Sequence, residues 1–196
     1  MNTTPLIVSL TDAWGPKYGG INAFNVELMR SMGIQPWRAF DVCNLVLNAT
    51  DKDRADAARH HVELIDLNVS DRRFPSDTVG KVASTLALQS QNRLCIWLAH
   101  DVVSGALALQ LRGIVANSRA VIIHHMAFGA YQDFKKGSSH EAAERREKQR
   151  ALFKQADLCF AVGPMLRDQL VDLLRGEPTH PAIEMLGPGL AEPDHE

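Results

Sequence analysis

Two short stretches of the chain set histidine beside groups that can share a proton. His100-Asp101 is followed by Ser104 and Gly105, and His124-His125 stand as a pair further on. Imidazole, carboxylate and hydroxyl at this spacing are the parts of an acid/base or hydrogen-bonding site. The plainer alternative is that Asp101 caps a helix and His100 bonds the backbone. Side chains alternate along a strand, so only one of His124 and His125 can serve a given side. His125 lies last before a loop and is free to turn beyond the sheet, so it is expected to face the cleft, with His124 mainly structural. Three histidines invite a zinc site, but no cysteine or HExxH spacing supports one, and no metal is expected.

A second kind of chemistry is suggested by Gly19-Gly20-Ile21-Asn22. Bare backbone N–H groups at the positive end of a helix suit an anion, and phosphate is the natural guess. A tight turn would call for the same glycines. The stretch is neither GxGxxG nor GxxxxGK[ST], so neither the dinucleotide fingerprint nor the P-loop is present. Phe128, Tyr131 and Phe134 fall in an irregular loop from Met126 to Gly137, where they either line an acceptor pocket or pin the loop. Lys135, Lys136, Arg145, Arg146, Lys148 and Arg150 make the following region basic, but Glu141, Glu144 and Glu147 interleave with them. That pattern reads as a solvated helix face laced with ion pairs.

These residues need elements to hold them, and the apolar pattern supplies seven strands. The runs Leu6–Leu10, Val42–Leu47, Val62–Leu67, Leu94–Leu98, Ala120–His124, Leu158–Val162 and Ile183–Leu186 are too short for helices. Between them lie six helical patterns. The first opens after the glycine pair, with Phe24, Leu28 and Met32 at helical spacing and Gly33 as its stop. Capping boxes at Thr50/Asp53 and Ser138/Glu141 open two others. A further pair runs from Asp77 to Gln89 and from Val102 to Leu111, the latter apolar enough to require burial on several sides. The last starts at Gly163-Pro164 and ends at Gly176. Strict alternation predicts an α/β fold, a Rossmann-like three-layer α/β/α domain with a mostly parallel sheet of about seven strands. In such sheets ligands bind beyond the carboxyl ends of the strands, where the candidate residues fall.

Composition fits this reading. The 196 residues carry 21 Lys+Arg against 23 Asp+Glu, a net charge of -2, with 45% hydrophobic residues. A chain of this size buries roughly 70% of its unfolded surface, enough for a core without disulfides. No block of like charge marks a nucleic-acid or anionic-membrane footprint, and no nucleic-acid partner is expected. Cys43, Cys95 and Cys159 sit apart within apolar runs and read as buried, reduced thiols. The polar start Met1-Asn2-Thr3-Thr4-Pro5 is not a signal peptide, and no window approaches the ~18 apolar residues of a membrane span, so a cytoplasmic location is expected.

Taken in order, the motifs resemble a known family. Gly19-Gly20-Ile21-Asn22 with Phe24-Asn25 and Glu27-Leu28, then His100-Asp101-Val102-Val103-Ser104-Gly105, then Val121-Ile122-Ile123-His124-His125 are similar to the N-terminal, acceptor-side domain of family-four glycosyltransferases of GT-B fold. Ala156 to Gly163 is similar to that family's "AD, strand, VS/VG" segment, and Leu186 to Leu190 to its "IPNG(V/I)" strand end. The resemblance spans nearly the whole chain. It implies that Gly19 and Gly20 approach the diphosphate of a nucleotide sugar. It places a strand-end histidine near the reacting carbon at His125, with His100 as a second catalytic candidate and Asp101, Ser104, His124, Phe128 and Tyr131 as acceptor or cleft residues.

The resemblance also implies a nucleotide sugar and an acceptor as substrates, no cofactor, and a second, C-terminal Rossmann domain with basic residues and an E-x7-E pair. Residues 1–186 are then the glycosyltransferase-like domain and 187–196 a linker remnant or tail. Two functions follow. One is half of a retaining glycosyltransferase, inactive alone. The other is a non-catalytic recognition module of the same fold within a larger signalling or multidomain protein.

Overall fold

A computed structural model describes residues 4–69, 74–75, 77–86, 93–127 and 139–187. Among them the expected alternation is complete. Strand β1 (Leu6–Leu10) leads through a short 3-10 turn (Pro16–Tyr18) into helix α1 (Gly20–Gly33). Then come β2 (Asp41–Val46), α2 (Asp51–Arg59), β3 (Glu63–Asp66), α3 (Thr78–Leu86), β4 (Cys95–His100) and α4 (Asp101–Ile114). The chain continues through β5 (Ser118–His124), α5 (Ser139–Phe153), β6 (Leu158–Val162), α6 (Pro164–Leu174) and β7 (Ala182–Leu186).

The seven strands form one sheet in the order β3-β2-β1-β4-β5-β6-β7, and every pairing is parallel. The chain winds outward from β1 to β3, then returns to lay β4 against the other side of β1. The strand order therefore reverses between β1 and β4, where Ser9 pairs with Leu98 and Leu10 with Ala99. That reversal opens a crevice at the carboxyl edge.

Parallel strands covered on both faces read as continuous apolar runs, and here Val8, Leu10, Cys43, Leu45, Trp97, Ala99 and Ile122 are sealed from solvent. One face packs against Val82 and Leu86 of α3, Leu107 and Leu111 of α4, Phe153 of α5 and Leu170 of α6. The opposite face packs Val42 and Val46 against Val26 and Met29 of α1 and Ala57 of α2. The three cysteines are free and buried, and burial pushes the Cys95 and Cys159 thiols up to about 12, so they are inert packing groups.

The Thr50/Asp53 capping box forms in both directions, whereas Ser138 lies outside the described residues. Helix α4 departs from expectation. It buries Ser104, Gly105, Leu107, Ala108 and Leu111 along one side only, and leaves Val102, Val103 and Ile114 exposed. Its close partner is α5: a Cβ on Gly105 would stand 2.6 Å from Leu152 Cδ2. No helix among the described residues is long and apolar enough to cross a membrane.

Candidate functional site

Four buried polar residues lie in the carboxyl halves of the strands: Ser9 in β1, Asn44 in β2, His100 in β4 and His124 in β5. A buried polar group without a partner costs free energy, and here the strand order brings partners within reach. Ser9 Oγ donates to Asn25 Oδ1 on α1 at 2.5 Å. His100 Nε2 lies 3.0 Å from the same oxygen and 3.2 Å from Ser9 Oγ. Asn25 Nδ2 donates to Asn44 Oδ1 at 2.7 Å, and Asn44 Nδ2 donates to Thr11 Oγ1 at 2.9 Å. On its other side, His100 Nδ1 lies 2.9 Å from His125 Nε2. A continuous chain of hydrogen bonds thus runs from β2 through β1 and α1 to β4, and ends on the residue just past β5.

Asp101 ties this chain down. It begins α4 with φ at +48°, in the left-handed region, and is fully buried. One carboxylate oxygen accepts from the backbone N–H groups of His125 (2.8 Å) and Met126 (3.2 Å), and the other accepts from Gln149 Nε2 (2.6 Å). Its side chain is turned back onto the end of β5, so it neither caps α4 nor opens to solvent. Ser104 Oγ accepts from the backbone N–H of His100 at 2.9 Å, fixing the strand-to-helix turn. Charge-assisted bonds of the kind Asp101 makes are the stronger ones; two of them clamp the segment that carries His125, and the third holds Gln149 of α5.

The two adjacent histidines differ in surroundings. His124 is 1% exposed, edge-on to Phe153 at 5.2 Å between ring centres, with Nδ1 3.3 Å from Asp101. His125 is half-buried, edge-on to Phe24 at 4.9 Å. Burial lowers His125 to about 4, against a partial counter-effect of the Asp101 charge, and burial with the neighbouring His125 lowers His100 well below the usual histidine range. Burial thus favours the neutral form of both rings, which suits them to hydrogen bonding and unfits them as acids.

At the glycine loop, Gly19 holds φ at +127° and its N–H bonds Pro16 O at 3.1 Å, so the backbone itself requires glycine there. Gly20 is the first residue of α1, exposed, and a Cβ there would meet nothing within 4 Å. Asn22 is buried on the inner side of the helix. Beside the loop, at the carboxyl ends of β1 and β2, lies a cavity of about 840 Å³ lined by Asp12, Trp14, Lys17, Arg30, Lys52 and Asp56 among others. Burial opposes ionisation of Asp56, yet bonds from Arg30 (2.6 Å) and Trp14 Nε1 (2.8 Å) hold its carboxyl below the ordinary value. None of the three histidines lines this cavity.

The structure therefore brings His100, Asp101, Ser104, His124 and His125 together, with Gly19, Gly20 and Asn22 at the start of the helix that carries Asn25. Phe128 and Tyr131 lie outside the described residues. Sequence reasoning missed Ser9, Asn44 and Gln149 as parts of the site. Ser9 and Asn44 had a signal, being polar residues inside otherwise apolar strands. Gln149 had none, since it sits among the charges of α5, where Lys148–Glu144 and Arg150–Glu147 form the expected surface pairs.

Comparison with known proteins bears on this geometry. A family model described as Family 4 Glycosyltransferase in conflict systems matches residues 8–196. Among solved structures, the chain is similar to apo UGT2 of Phytolacca americana, at 13% identity and a TM-score of 0.63, over 97% of this chain and 53% of that one. It is likewise similar to the same plant's UGT2 complexed with UDP-2fluoro-glucose and pterostilbene, at 12% identity and a TM-score of 0.65, over 99% and 56% of the two chains. The likeness is one of fold, and the chain spans little more than half the length of these neighbours. No curated protein matches in sequence.

Proposed function

The chain belongs to the family 4 glycosyltransferases in conflict systems, and on that premise we propose that it is the acceptor-side domain of a retaining enzyme that transfers a sugar from a nucleotide sugar to an acceptor. The observation that carries this reading is the placement of two neutral histidines at the carboxyl edge of β4 and β5, one strand from the glycine loop that follows β1. Glycosyl transfer breaks the bond between the sugar and a diphosphate and makes one to an acceptor oxygen. The open N–H groups at the start of α1, with the helix's positive end, suit the charge that gathers on the departing diphosphate. A neutral imidazole at His125 suits a hydroxyl of the sugar or of the acceptor. Asp101 serves by holding the His125 backbone, and the nucleotide sugar is the only small molecule besides the acceptor that the reading calls for.

On this proposal the site is completed by a second nucleotide-binding domain, because the glycine loop and the histidines would meet a diphosphate from one side only. The purified chain is expected to fold and to leave a panel of nucleotide sugars intact, while the same domain joined to its nucleotide-binding partner transfers sugar. Turnover by the chain alone, above a heat-killed control, would refute the half-site part of the proposal. Binding of nucleotide sugars by the joined protein with no transfer to any acceptor and no donor hydrolysis would favour a recognition module instead.

A further inference from the structure

The buried chain of hydrogen bonds has a direction, and the direction can be read from its fixed end. Asn44 Nδ2 donates to the backbone carbonyl of Leu45 at 3.3 Å as well as to Thr11 Oγ1, whose own proton goes to the carbonyl of Ala13 at 3.3 Å. Backbone carbonyls only accept, so both anchors set the Asn44 amide the same way round: NH2 toward Thr11 and Leu45, oxygen toward Asn25. That oxygen can face only a donor, so Asn25 presents its NH2 to Asn44 and its oxygen to Ser9 and His100. Ser9 has a single proton and gives it to Asn25 at 2.5 Å. His100 Nε2 then faces two acceptors, and the proton between them must be its own.

A neutral imidazole carries one proton, so His100 Nδ1 is bare and accepts. The nitrogen 2.9 Å away, His125 Nε2, must supply the hydrogen. By the same count His125 Nδ1 is bare. Burial, which keeps both rings neutral, closes off the doubly protonated forms that would break this logic.

We propose that Asn25 and Asn44 are positioning residues that fix the tautomer of His125, so that its Nδ1 is a hydrogen-bond acceptor reserved for a hydroxyl of the ligand and unsuited to a phosphate oxygen. Phosphate oxygens at neutral pH accept and do not donate, and a bare ring nitrogen repels them. A sugar or acceptor hydroxyl donates. The division of labour follows: the backbone N–H of Gly20 at the start of α1 takes the diphosphate, that of Gly19 being held by Pro16 O, and His125 takes a hydroxyl. The hydroxyl assignment rests on the reading of this edge as the place of sugar transfer. The tautomer rests on the hydrogen-bond chain and the neutrality of the two rings, not on that reading, so failure of one is distinguishable from failure of the other.

Nitrogen NMR of the imidazole rings near neutral pH tests this on the folded chain without a transfer assay. Signals are assigned by their loss in His100→Ala and His125→Ala. In the unmodified protein, Nε2 of both His100 and His125 should show the shift of a proton-bearing nitrogen, and Nδ1 of both that of a bare one. Asn25→Leu, which keeps the shape and removes the acceptor, should let Ser9 donate to His100, so that the pattern on both rings reverses or averages. Ser9→Ala, equally buried, should leave the pattern unchanged because Asn25 still accepts. A proton-bearing Nδ1 on His125 in the unmodified protein overturns the proposal outright, whether or not the variants fold. An unaltered pattern in folded Asn25→Leu overturns the part assigned to the asparagines.

Discussion

Asp56 and Asp101 are both carboxylates at the carboxyl edge of one sheet, each held by several donors. Around Asp56 Trp14 is buried, but the charged partners reach water: the Arg59 side chain is 73% exposed and that of Arg30 31%. Around Asp101 the side-chain partners are sealed, with His124 and Gln149 at 1% and 2% exposure. The first region is an open, mixed-charge cavity whose groups can be re-solvated one by one. The second is a network whose side-chain donors are closed off from water. Exposed pairs are worth little, whereas a buried charge stripped of its partner, or a partner stripped of its charge, stays unsatisfied. The difference teaches which side chains of this edge are adjustable and which are fixed.

The largest break in that contrast comes from Asp101→Ala. It leaves the backbone N–H groups of His125 and Met126 without their acceptor and Gln149 with Met126 O alone, and should cost about 3–5 kcal/mol in urea unfolding. Asp101→Asn keeps the shape, tolerates the left-handed backbone and should cost about half as much.

Acid should reach the same region next. His125 falls from the ordinary 6.5 to about 4 on folding, so the unfolded chain binds the proton that the folded one refuses. The stability this represents is present in full above pH 6.5 and is lost as pH falls from 6.5 toward about 4. A fall of about 3 kcal/mol across that window is expected from His125 alone, with His100 acting in the same direction. Unfolding curves at stepped pH, repeated for His125→Phe, isolate the contribution.

The glycine loop sharpens the comparison at a smaller scale. Gly19→Val forces a β-branched residue into φ +127° and should cost about 1–3 kcal/mol. Gly20→Val meets open space and should leave the melting temperature nearly unchanged while weakening inorganic diphosphate binding, as read by calorimetry. The smallest effect belongs to the open cavity. Arg59→Ala removes an exposed pair with Asp56 at 2.9 Å and should change stability by no more than about 0.5 kcal/mol.

Much of this was legible before the structure. Seven short apolar runs alternating with helical patterns allow little but a parallel sheet, and placing candidate residues just after strands followed from how such sheets bind ligands. Boundaries shifted by a few residues where the apolar pattern is silent: α1 takes in Gly20 itself, and β5 begins at Ser118. The pairing of His100 with Ser9 and Asn25 was not legible. It depends on β4 lying beside β1, a strand order that periodicity does not encode. Asp101 was ambiguous for a local reason, since a carboxylate that opens a helix usually caps it, and only the return of β5 beside β4 offers it the N–H groups of His125 and Met126. Gln149 was invisible because one helix position among charges gives no sign of facing inward.

In the proposed function, His125, at the end of the buried chain, meets the reacting sugar while His124 serves the fold. The most direct test is kcat and melting temperature for His125→Ala and His124→Ala, measured in the domain joined to the nucleotide-binding domain proposed for it. His125→Ala should lower kcat by about 10²- to 10⁴-fold in a protein that still folds. His124→Ala should cost about 1–3 kcal/mol of stability with kcat changed by less than about tenfold. A folded His125→Ala protein with kcat close to that of the unmodified enzyme would contradict that role of His125.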